Sequence, residues 1–74
     1  MPHYFFDLKD GKRLVDPTGL HCSDDADALS KARRIAVEVA ARKPDTDPQR
    51  YVVVILDGQE VGRVAVRPMT AANG

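Results

Sequence analysis

The sequence predicts an α+β fold, a small antiparallel sheet of three to four strands in β-β-α-β-β order with one helix packed across one face. Three observations carry that prediction. Apolar positions recur at helical spacing only between Ser23 and Lys43, strand-like runs flank that stretch on both sides, and each half holds an Asp-Gly pair suited to a tight turn, at Asp10-Gly11 and Asp57-Gly58.

In chain order, His3 to Lys9 is an aromatic and aliphatic run that reads as a strand entering the Asp10-Gly11 turn. Tyr4, Phe6 and Leu8 share one of its faces and form the expected core face. A base-stacking platform would need a basic groove, which this segment lacks. Lys12 to Val15 returns as a second strand, and Asp16-Pro17-Thr18-Gly19 turns the chain before Leu20-His21-Cys22 leads to the helix. On the helix, Ala28, Leu29, Ala32, Ile35, Ala36, Val39 and Ala40 gather into one stripe, with Asp27, Lys31, Arg34, Glu38 and Arg42 opposite. Ser23 is the expected N-cap, Asp24 and Asp25 suit the positive end of the helix dipole, and Pro44 closes the helix. Pro44 to Pro48 is then a polar loop, Arg50 to Leu56 the strongest strand of the chain, and Val61 to Arg67 an alternating strand with Gly62, Val64 and Val66 on one face.

The length and balance of the chain exclude several classes. With 74 residues it is read as one domain, 1–68, followed by a disordered tail, 69–74. Eleven basic and eleven acidic residues leave no net field to attract nucleic acid or an anionic membrane. The single cysteine, Cys22, allows no internal disulfide, and no run resembles a signal peptide or approaches the roughly 20 apolar residues of a membrane span, so a reducing cytoplasm is expected.

The opening Pro2-His3-Tyr4-Phe5-Phe6-Asp7-Leu8, Asp16 and Gly19 in the middle turn, the alanine-rich helix with Asp25, Ala28, Ala32 and Ala36, and the Val-Val-Val strand ending at Asp57 together resemble a family of short bacterial proteins of uncharacterised function, common in alphaproteobacteria of the rhizobial kind. The resemblance covers nearly the whole chain and departs at His21-Cys22-Ser23. It implies fold and compartment, and it carries no activity, ligand or catalytic residue.

No constellation points to catalysis, so the chain is read as non-enzymatic, without cofactor or metal. His21 and Cys22 are neighbours whose side chains diverge on a strand, and a closed zinc site needs four ligands where Cys22, His3, His21 and scattered carboxylates are all the chain has. Asp24, Asp25 and Asp27 are better explained by capping than by a divalent ion. Lys31, Arg33, Arg34 and Arg42 make a basic helix face, interleaved with Asp27 and Glu38, and Lys31, Arg33 and Arg34 carry the alternative reading of a small regulatory nucleic-acid binder. The most informative feature is the strand from Tyr51 to Leu56, apolar on both faces although one helix covers only one. Phe5, Tyr51, Val53, Ile55 and Ala65 are therefore the expected contact residues of a protein-interaction module, a homodimer formed through an apolar sheet face or a strand edge. The competing reading lays Arg63 and Arg67 across that patch.

Overall fold

The computed structural model describes residues 1–42 and 50–66. Residues 43–49 and 67–74 lie outside the described part, and with them the expected polar loop, the closing proline, Arg67 and the disordered tail. The elements run β1 (His3–Asp10), β2 (Lys12–Leu14), β3 (Leu20–His21), α1 (Asp25–Arg42), β4 (Tyr51–Leu56) and β5 (Gln59–Ala65). All pairings are antiparallel, in the order β2-β1-β4-β5, with β3 also on β1. The predicted class and element order stand, with β3 as an added strand where the sequence predicts a connection.

Asp16 explains β3. The outer edge of β1 is paired by β2 from Leu8 to Asp10 and by β3 at His3 and Tyr4, leaving a gap between them. The Asp16 carboxylate bridges that gap by accepting from the Phe6 backbone N–H at 3.1 Å, and the Asp7 carboxylate accepts in turn from the Asp16 N–H at 2.9 Å. Two side-chain acceptors thus replace two missing ladder bonds and bring Leu20 back beside Tyr4. At the other hairpin, Asp57 at φ 53° and Gly58 at φ 78° both adopt positive φ, the type I′ geometry that a two-residue Asp-Gly loop favours.

Register assigns the faces. Tyr4 opposes Leu56, Phe6 opposes Val54 and Leu8 opposes Val52, so these six point to the helix side, joined from β5 by Gly62 and Val64. The expected core face of β1 is correct, since Tyr4 and Phe6 are buried. α1 packs chiefly on β4 and β5. Its buried residues are Ala28, Ala32, Ala36 and Ala40, one ridge at steps of four, whereas Leu29, Ile35 and Val39 are half-buried along its flanks. The predicted stripe is right in position, but the seal is made by its smallest members, because methyl groups let the helix axis approach the sheet closely. A Cβ on Gly62 would fall 2.8 Å from Leu29 Cδ2, so the glycine makes room for that flank.

The helix start needs one correction. The residue before Asp25 takes the capping role: the Asp24 carboxylate accepts from the Asp27 N–H at 2.8 Å, while the Asp27 carboxylate reaches back to the Ser23 N–H at 2.9 Å. This reciprocal arrangement satisfies two N–H groups with two carboxylates, which the Ser23 hydroxyl alone would not do. Asp24, not Ser23, is the N-cap.

Candidate functional site

The five residues expected at an interface do share one face. Phe5 opposes Ile55, Tyr51 opposes Ala65, and Val53 lies between them, all on the side of the sheet away from α1. That side is nevertheless partly clothed. Val53 is only 4% exposed, Phe5, Tyr51 and Ile55 are half-buried, and Ala65 alone is exposed. The Arg63 guanidinium lies 4.6 Å above the Tyr51 ring, held by two hydrogen bonds to Glu60 at 2.8 and 2.9 Å. Those bonds raise the arginine's pKa and lower the glutamate's. Asp7, opposite Val53, is 4% exposed and accepts from Arg13 Nε at 3.0 Å.

The alternative basic face is not gathered into one patch. Residues two apart on a helix do not share a side, so Lys31 and Arg33 diverge, while Arg34, three residues on from Lys31, stands exposed on the Lys31 side. Lys31 is ion-paired to Asp27 at 2.9 Å. Backbone bonding from Ser23 and the ammonium of Lys31 together hold the Asp27 carboxyl low, and that carboxylate in turn raises Lys31.

The open apolar surface lies elsewhere, on the helix side, bordered by α1 but not covered by it. Phe6, Leu8, Leu14, Val15, Leu20 and Ile35, with Asp16, Thr18 and Gly19, line a cleft of about 440 Å³. Leu14 opposes Leu8 and so joins the helix side of the sheet, but β2 is too far out for the helix to cover. Its rim is prominent: Val15 is 71% exposed, Leu20 46% and Leu14 41%. Sequence pattern alone does not single these residues out. Two aliphatics immediately before an Asp-Pro-Thr-Gly turn and one immediately after it are unusual company for a turn, and that was the available signal.

The polar groups of the cleft are committed to structure. Asp16 Oδ2 accepts from Phe6 and Oδ1 from the Thr18 N–H at 3.1 Å. Partial burial pushes the Asp16 carboxyl up, but bonds from the backbone of Gly19, Thr18 and Phe6 outweigh it and hold the group below its ordinary value. Tyr4 donates to Asp25 Oδ1 at 2.5 Å, and this bond, aided by burial, pushes the phenol up to about 12. Cys22 is fully buried, its Sγ 3.8 Å from the Leu20 carbonyl, and burial pushes the thiol up. The expected divergence of His21 and Cys22 is observed, with His21 exposed and turned toward His3.

Among the described residues no group of three or more His, Cys, Asp or Glu is placed to hold a metal ion, and no helix is long and apolar enough to cross a membrane. Fold and cleft together define a small α+β domain, a single-helix layer on an antiparallel sheet whose outer hairpin is left uncovered. The chain belongs to the family described as a domain of unknown function (DUF6894), whose model matches residues 3–67. Comparison with curated proteins and with solved structures gave no match.

Proposed function

We propose that the protein is a non-enzymatic interaction module that pairs with a second copy of itself through the cleft between the β2–β3 loop and α1. The observation that carries this reading is the concentration of exposed aliphatic surface at one place: of the five large exposed apolar side chains among the described residues, three, Leu14, Val15 and Leu20, ring a single cleft. A second copy is the favoured occupant because the patch carries both a hollow and the projections to fill one. A two-fold pairing brings the same patch of each subunit together, so Val15 and Leu20 of one copy can enter the cleft of the other. The balance of eleven basic and eleven acidic residues sets no net repulsion against that pairing. A 74-residue domain also has little core of its own, so covering this surface adds a useful share of its stability. The setting proposed with it is a bacterial cytoplasm, supported by the resemblance to short bacterial proteins and by a lone buried cysteine.

Sedimentation equilibrium over low to high micromolar concentrations tests this reading. The expected result is a monomer–dimer equilibrium for the wild type and a monomer for Val15→Asp and Leu20→Asp, both still folded. A wild type that stays monomeric throughout, or a dimer indifferent to both changes, overturns it.

A further inference from the structure

His3 and His21 meet on the sheet face turned away from α1. They are direct cross-strand partners between β1 and β3. Their rings stand edge to face with centroids 4.5 Å apart, and His3 Nδ1 is 3.4 Å from His21 Nε2. Each outer nitrogen faces a backbone carbonyl: His3 Nε2 lies 2.5 Å from the Thr18 oxygen and His21 Nδ1 lies 3.4 Å from the Met1 oxygen.

A count of protons makes this chain of contacts informative. A carbonyl only accepts, so both outer contacts require N–H on the imidazole, and a neutral imidazole has one N–H. With both protons turned outward, His3 Nδ1 and His21 Nε2 face each other as two lone pairs. Moving the His21 proton inward only transfers the conflict to its Nδ1 and the Met1 carbonyl. Three contacts need three donors where a neutral pair supplies two, and one cation between the inner nitrogens removes the conflict.

We propose that His3 Nδ1 and His21 Nε2 form a binding site for a borderline divalent transition metal ion of the Zn²⁺, Cu²⁺ and Ni²⁺ class. Nitrogens about 2.0–2.1 Å from a tetrahedral ion lie about 3.3–3.4 Å from one another, and the observed separation is 3.4 Å. Imidazole is the ligand these ions favour, and a ligating histidine commonly donates its other N–H to a carbonyl, as His3 does to Thr18. That carbonyl is itself held in place. Thr18 N–H is bonded to Asp16, and Gly19 at φ 71° packs so tightly that a Cβ there would fall 2.6 Å from His3 Nε2 and 2.5 Å from the Tyr4 backbone carbonyl oxygen. Both histidines are exposed, which gives an ion access and leaves its remaining positions to water. Buried Cys22 takes no part.

Titration calorimetry with Zn²⁺ near neutral pH, and electron paramagnetic resonance with Cu²⁺, test the site on the intact chain. The expected result is one ion per chain, with a Cu²⁺ signal split by two imidazole nitrogens. His3→Gln and His21→Gln should each weaken binding by at least about tenfold, the lower end of what losing even an outer partner costs, and Cys22→Ser should leave it unchanged. No one-to-one binding, or binding that survives in His21→Gln, overturns the proposal. Should a variant fail to fold by circular dichroism, the nitrogen count in the wild-type Cu²⁺ spectrum decides, and fewer than two nitrogens overturns it.

Discussion

The helix side of the sheet divides into two halves that look alike in sequence and differ in fate. Over β4 and β5 the alanine ridge of α1 closes on Val52 and Val54 and leaves them buried. Past the buried Tyr4 and Phe6 the same apolar side continues through Leu8 of β1 to Leu14 of β2, but α1 does not cover Leu14 and a cleft remains. Hydrophobicity is similar in both halves, so what separates core from exposed surface is the position of one cover. A single helix is about 10 Å wide and spans two strands comfortably, whereas this sheet has four across.

If that division is right, truncation in the sealed half is expensive and truncation on the cleft rim is cheap. Tyr4→Ala empties a buried aromatic site and should cost about 3–5 kcal/mol, most of the roughly 5 kcal/mol at the low end for a folded domain. Leu14→Ala should change monomer stability by no more than about 0.5 kcal/mol. Urea melts at low protein concentration, where pairing does not contribute, check both. Ala32→Leu is the next largest effect. Its added bulk has nowhere to go beneath the ridge and should cost about 1–3 kcal/mol, while Val37→Leu on the exposed back of the helix should be silent in the same melts.

These expectations revise what the sequence alone suggested for the helix. Periodicity located the stripe, because spacing at three and four is a property of the chain. It could not rank the members, and the sealing role falls to the smallest of them, Ala28, Ala32, Ala36 and Ala40. The faces of β1 and β4 were legible for the same reason, since alternation fixes which residues share a side. The cleft was not, because Leu14, Val15 and Leu20 become neighbours only when the Asp16 carboxylate bonds to Phe6, a contact across ten positions that no local pattern encodes. The pairing of His3 with His21 depends on that same turn.

Smaller effects sharpen the picture at the helix start. Asp24→Ala removes the capping acceptor and should cost about 1 kcal/mol, whereas Ser23→Ala, at the position sequence reading favoured, should be nearly neutral by thermal melt. The last effect is a pH dependence. Because the Tyr4 phenol rises from 10.0 unfolded to about 12 folded, the protonated form is the one the fold favours. Its contribution is therefore fully present below pH 10 and is lost as pH rises toward 12. Comparison of wild type with Tyr4→Phe across that window should show the wild type losing stability the more steeply. A slope shared by both would mean that the bond to Asp25 contributes nothing.

The central claim is that the uncovered half, rather than the far face of the sheet, is where the molecule makes contact. Amide chemical shifts followed through a dilution series report on that directly, residue by residue. The account predicts concentration-dependent shifts confined to Leu14, Val15, Thr18, Leu20 and Ile35, with Phe5, Tyr51, Val53 and Ile55 constant. Shifts confined to those four sheet residues, with the cleft unmoved, would contradict it.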